Sequence, residues 1–368
     1  MFHTELCDIF DADFPIMNAG MNKVAYGDMA GAVSASGGIG VIGATDLTPK
    51  GLQNEIDTAR EWAPEGPLAV DIVFPHRAPS REDEIPSPEE IPRPIEQLRS
   101  ELEEKAGDVQ SYEETELHAF NKERSEELLE VALDNQVDAI ASAVGTPEWV
   151  VEEVHDAGAK VISLVGHPKH AVYADELGVD IIVADGTQGG GHSGYIATMN
   201  LVPMVKEVVH QPVVASGGIT TGAQILAALS LGAVGVWCGT LFVPTKESMA
   251  DPAHKRAILS ADDPDPTVHS KAIDGYPTRV LKNRLTEVYD EFDEDPMDYP
   301  EQHVMMKPIR DTADIHDVDE YKTMSAGQGT PLIEDTGKFP QVNYVMAQLL
   351  DELDAAWDAL SGMHTDEF

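Results

Sequence analysis

The chain has 368 residues, with 24 Lys and Arg against 66 Asp and Glu, a formal net charge of −42. That length suits one large α/β barrel or two ordinary domains. That charge repels phosphate backbones and anionic lipid, which sets nucleic acid and membrane surfaces aside as partners.

The acid is spread along the whole chain, the pattern of a halophilic acidic proteome, in which molar salt screens self-repulsion (Debye length ~3 Å at 1 M). Two cysteines, Cys7 and Cys238, make no disulfide framework. Met1 to Asp13 carries no basic-then-apolar leader, and no apolar run reaches the ~20 residues of a membrane span. A soluble, cytoplasmic protein is the expectation.

Phe14-Pro15-Ile16-Met17 reads as a first strand running into Asn18-Ala19-Gly20-Met21. A helix over Ala25–Ser36 closes at Gly37-Gly38, as helices commonly do at glycine. Ile39–Gly43 is a second strand. Thr48 caps a helix to Trp62, with Pro49 at its first position. Pro67–Val73 is a third strand, with Asp71 set inside it. Residues 75–116, rich in Pro and Glu, read as an insertion, partly helical and mostly surface.

The alternation then resumes. Helices over Phe120–Asn135, Pro147–Ala157, Pro168–Leu177, Leu201–Val209 and Gly222–Leu231 separate strands at Val137–Ser142, Lys160–Val165, Asp180–Ala184, Pro212–Ala215 and Ala233–Cys238. Eight near-continuous apolar strands alternating with helices imply a parallel sheet and a closed (β/α)8 TIM barrel. A doubly wound open sheet is the alternative. Gly38-Ile39-Gly40 lies between a helix and a strand, the wrong order for a dinucleotide fingerprint. The barrel is assigned to residues 1–245. Residues 246–368 form a C-terminal helical elaboration over its mouth, with helices at Glu247–Ser260, Arg279–Phe292 and Gln341–Leu360 and an acidic stretch at Asp290–Asp298.

The chemistry should gather on the loops that follow the strands. Ile181–Asp185 runs into Gly186-Thr187-Gln188-Gly189-Gly190-Gly191-His192-Ser193-Gly194, a loop whose bare backbone can approach a ligand closely. Its one imidazole belongs to the side-chain type suited to moving protons. Ser216-Gly217-Gly218 and Gly239-Thr240 end the last two barrel strands, where barrels commonly bind phosphate, and each leads toward a helix start. Asn18, Ala19, Gly20 and Met21 offer small residues and amides for a flat ring. Asp71 and Asp185 can accept hydrogen bonds from such a ligand or serve as caps and ion pairs. Trp237, beside Gly239, is a packing residue or a stacking partner for a flat ring, and Cys238 is a small buried residue in the last strand; both are counted with the candidate cofactor-binding residues. His76, His155, His167, His170 and His210 have no metal-ligand spacing.

Pro15 to Met21, the run Gly186 to Gly194, and Ala215-Ser216-Gly217-Gly218-Ile219 with Gly239-Thr240 resemble the nitronate monooxygenase (2-nitropropane dioxygenase) family of FMN-dependent barrels, to which FMN-dependent enoyl-ACP reductases are related. The resemblance covers about Phe14 to Leu241 without the insertion. It implies FMN as cofactor, His192 as catalytic base, and FMN contacts at Gly190, Gly217, Gly239 and Thr240, with Asn18 to Met21 along the isoalloxazine; Gly191 is counted with the candidate cofactor-binding residues. Family members usually carry Asn where Asp71 stands, Gln where Asp185 stands, and Glu-Ala or Glu-Ser where Gln188-Gly189 stands.

The implied activity is oxidation of alkyl nitronates or nitroalkanes by O2 to carbonyl compounds and nitrite. One alternative is an FMN-dependent NAD(P)H reductase of enoyl thioesters or quinones. Another is a barrel that binds a phosphorylated metabolite without redox chemistry. The expected partners are a small-molecule substrate and O2, and a homodimer is compatible with the sequence.

Overall fold

The computed structural model describes residues 2–74, 91–110, 122–143 and 145–363. Strands β1 (Ile16–Asn18), β2 (Gly40–Gly43), β3 (Leu68–Val73), β4 (Ala139–Ala143), β5 (Lys160–Val165) and β6 (Ile181–Asp185) are followed by a two-residue strand β7 (Gly191–His192). Then come β8 (Val213–Ser216) and β9 (Gly235–Cys238). All except β7 form one eight-stranded parallel sheet in the order β1-β9-β8-β6-β5-β4-β3-β2. A parallel bridge from Met17 to Ile39 joins its two edges. The sheet is therefore a closed barrel, and the open-sheet alternative falls.

The β1–β2 seam has an unusual fastening. The Asn18 side chain donates to the Val41 carbonyl at 2.7 Å and accepts from the Val41 N–H at 2.9 Å. A carboxamide thus substitutes for ladder bonds that a three-residue strand is too short to supply. Side chains alternate along each strand. Met17, Val41, Ala69, Ala141, Ile162, Val183, Val214 and Trp237 fill the lumen, and Leu6 and Phe10 join them from helix α1 (Glu5–Phe10). The opposite faces pack against the outer helices. Burying each such aliphatic side chain favours the fold by about 1.5–3 kcal/mol.

Thr48 caps its helix by accepting from Gly51 N at 3.0 Å, with Pro49 at the first position, as its sequence predicts. Two tail expectations need correction. Thr278–Leu281 is not the start of a helix but a strand, β11, paired antiparallel with β10 (Thr267–Ser270). β-branched Thr278 and Val280 suit the pleat, and the helix that follows is only Arg284–Glu287. A further helix, Glu301–Ile315, carries Pro308 inside it. The insertion is also less superficial than expected where it is described. Its helix Arg93–Ala106 buries Ile95, Leu98 and Leu102 against Met305, Met306 and Ile309 of the tail. Arg284 grips Glu101 with two bonds of 2.7 Å, and Tyr321 donates to the same carboxylate. Residues 75–90 and 111–121 of the insertion and its flank, with the predicted start of the Phe120 helix and His76, lie outside the described residues. Among the described residues no helix is long and apolar enough to cross a membrane.

Candidate active site

The loop after β6 leaves the barrel and turns at Gly191, whose φ of +76° is open to glycine and costly for a β-carbon. Gly191 and His192 then add a third strand to the tail hairpin, pairing with Arg279 and Thr278. A glycine-rich loop alone would leave the imidazole mobile. The tail instead fixes it at both ends. His192 Nε2 lies 2.7 Å from Asp274 Oδ2, and Tyr276 stands edge-on to the ring with centroids 5.9 Å apart. The imidazole remains half exposed. Burial works to raise the Asp274 carboxyl, but the His192 hydrogen bond and charge, the Tyr276 N–H and nearby Arg310 together hold it below the ordinary carboxylate range. Asp274 is therefore an anion that can orient the ring and stabilise its protonated form.

On the other side of the mouth, Gly217 and Gly218 have φ of +108° and +74°. Among the described residues, the N–H groups of Gly218, Gly239 and Thr240 meet no protein acceptor. The space above Gly239 is bounded by Met21 Sδ and Ala19 Cβ, 3.4 and 3.5 Å from where a β-carbon would stand. Free donors on a concave glycine backbone make an anion nest. The helix dipoles expected behind it contribute less. Thr220 and Thr221 donate their N–H groups to Gln224 of the Gly222–Ser230 helix, which caps itself, and Gly239-Thr240 runs into turns, with the next helix starting only at Pro252.

A tail segment closes this nest, and sequence reasoning missed it. Gly327 N donates to Thr240 Oγ1 at 2.9 Å, and Gln328 N to the Gln188 carbonyl at 2.9 Å. A β-carbon on Gly190 would lie 2.8–2.9 Å from the backbone of Ala326. The available signal was Ala326-Gly327-Gln328-Gly329, a small-residue run inside an acidic, helical tail. Asp274 and Arg310 carried no local signal at all.

The remaining expected residues divide by the strand alternation. Asp71 and Asp185 share the lumen-facing parity at the tops of β3 and β6, as does Ser216 on β8. Ser216 Oγ donates to Asp185 Oδ1 at 2.7 Å. Burial pushes the Asp185 carboxyl up to about 6 despite that donor. Burial alone pushes Asp71 up to about 8. Trp237 is packed within the lumen layer. Cys238 points the opposite way, into the helical layer, and burial raises its thiol to about 12. Only its carbonyl faces the mouth loop, accepting from Ala19 N at 2.8 Å. The structure therefore gathers His192, Gly190, Gly191, Gly217, Gly218, Gly239, Thr240, Ala19, Gly20 and Met21 around one mouth. It keeps the Asn18 amide in the seam and the Cys238 side chain away.

A closed barrel with unpaired glycine N–H groups and a carboxylate-held histidine at its mouth has the layout of a barrel enzyme. Comparison with known proteins narrows the class. The sequence profile of the nitronate monooxygenase family matches residues 3–352. A putative monooxygenase of Mycobacterium tuberculosis is 35% identical over 315 residues, 82% of this chain and 83% of that protein. The crystal structure of nitroalkane oxidase from Streptomyces ansochromogenes superposes with a TM-score of 0.80 at 27% identity, covering 96% of this chain and 99% of the other. FabK from Thermotoga maritima gives 0.76 at 26% identity, covering 99% and 100%. The chain belongs to the nitronate monooxygenase family, flavin-dependent oxidoreductases acting on nitro compounds.

Proposed function

We propose that this chain uses FMN to oxidise alkyl nitronates and nitroalkanes with O2, yielding an aldehyde or ketone and nitrite. The observation that carries the reading is the juxtaposition of the nest at Gly217-Gly218 and Gly239-Thr240 with the His192–Asp274 pair across one barrel mouth. The nest fits a phosphate by its free N–H groups and by glycines whose conformation a side chain would strain. Ala19, Gly20 and Met21 form the wall for the ring.

Bound flavin supplies electron uptake from the substrate and reaction with O2. The chain supplies position and proton transfer. His192 takes the proton on the carbon beside the nitro group, acting as general base. Asp274 holds the ring and favours the imidazolium that results. The tail segment Ala326–Thr330 covers the nest and limits water.

The test separates the base from the rest of the site. His192→Asn should lower kcat/KM for a neutral nitroalkane by about 10²–10⁴-fold while leaving turnover of the preformed nitronate within about threefold. Equal losses on both substrates would remove the base role. A second reading, NAD(P)H-driven reduction, is favoured by Tyr276 and Tyr299, stacked with centroids 4.7 Å apart beside His192, because their flat face suits a nicotinamide. Anaerobic bleaching of the flavin by NAD(P)H, and not by nitronate, would establish it instead.

A further inference from the structure

We propose that Asp71 holds the flavin ring as a neutral carboxylic acid, donating a hydrogen bond from the barrel wall where an ionised carboxylate could only accept. The proposal rests on the flavin reading above. Asp71 lies on the lumen-facing side of β3 at its mouth end, in register with Gly43 on one neighbour and Ala141 on the other. Neither brings a polar side chain. From above, the mouth loop presses on it, since a β-carbon on Gly20 would overlap the Asp71 side chain. The residue keeps 6% of its surface accessible, and its carboxyl oxygens are not sealed off among the orphaned polar atoms. No N–H, hydroxyl or cation of the described residues bonds it.

Asp185 is the internal control. It sits at the equivalent place on β6, but Ser216 donates to it at 2.7 Å. One carboxyl has a partner that stabilises the anion, and the other has none among the described residues. Among the described residues no charged group acts on Asp71, and burial lifts it to about 8. Burial thus disfavours the anion of Asp71 more than that of Asp185, whose charge Ser216 supports. Environments that split two carboxyls in this way commonly assign them different tasks. The carboxyl opens onto the mouth, where a bound ring would exclude water and would have to supply the acceptor for its O–H. The polar edge of a flavin ring carries carbonyl and ring-nitrogen acceptors. A full negative charge in the same place would oppose electron uptake by that ring.

The sign follows from the raised carboxyl. Binding is favoured while Asp71 holds its proton and weakens as pH rises through about 8. The experiment titrates apoprotein with FMN by fluorescence quenching from about pH 6 to about pH 9.5 in molar KCl, for wild type, Asp71→Asn and Asp71→Leu, with far-UV circular dichroism confirming that each is folded. Wild-type Kd should rise about tenfold or more across the range. Asp71→Asn, whose amide donates at every pH, should match the wild type at pH 6 and stay flat. Asp71→Leu should bind weakly throughout. The flavin reduction potential should fall with pH more steeply in wild type than in Asp71→Asn. Identical pH dependences in wild type and Asp71→Asn would overturn the role of Asp71 while leaving the flavin site intact. Failure of wild type to bind FMN at any pH would overturn the flavin reading and this proposal together. Misfolding of Asp71→Leu leaves the wild-type and Asp71→Asn comparison to decide the matter.

Discussion

The barrel and the tail contribute to the same mouth by opposite means. The barrel offers backbone, in the form of glycines at strand ends whose N–H groups face the opening, and the tail offers side chains and cover. Asp274 orients His192 from 82 positions away in sequence, and Gly327 seals Thr240 from 87 positions away. The barrel motifs are contiguous because a turn at a strand end is a local object. The tail's contributions are scattered because they are fixed by packing. A site can thus look complete in its motif and still lack the groups that aim its base.

Three substitutions probe that division, in order of expected effect. Asp274→Asn keeps the shape but removes the charge that favours the imidazolium. It should lower nitroalkane kcat by on the order of 10²-fold with flavin affinity unchanged, which steady-state kinetics and a flavin titration would resolve. If kcat barely moves, the barrel is self-sufficient and the contrast drawn above is wrong. Gly190→Ala drives a methyl into the Ala326 backbone. It should weaken FMN binding about tenfold and destabilise the fold by about 1–3 kcal/mol, read by quenching and by thermal melting, because the tail must lift off the nest. Lys322→Met works inside the tail alone. The Lys322 ammonium is buried and bonds Asp251 at 2.6 Å and Asp317 at 2.8 Å, and Asp319 lies within 3.2 Å. Those carboxylates are largely solvated, so the loss should be modest, about 1–2 kcal/mol, with flavin affinity preserved. A drop in flavin affinity as large as that of Gly190→Ala would show that the tail transmits strain as one body.

The barrel was readable because near-continuous apolar strands, Thr48-Pro49 at a helix start and glycine at strand ends are local signals. β7 was not, since Gly191-His192 has neither length nor β-branched residues and becomes a strand only by pairing with Thr278 and Arg279. The helix at Glu301–Ile315 was hidden by Pro308 within it. Glycine loops announced the nest, whereas the protonation of Asp71 depends on the absence of partners, which no linear reading can supply. Cys238 is the small buried residue its place in the last strand implies, and alternation turns its thiol into the helical layer.

The seam between β1 and β2 also governs how the chain can be made. Ile16 finds its ladder partner only in Val236, 220 positions later. At roughly 5–20 residues per second of synthesis, the first strand waits on the order of 10–40 s for its far neighbour. Through that interval the Asn18 amide and the Met17–Ile39 bridge are its fastenings to β2. In the folded chain the same amide occupies backbone groups of β2 at an edge that β1 alone is too short to cover.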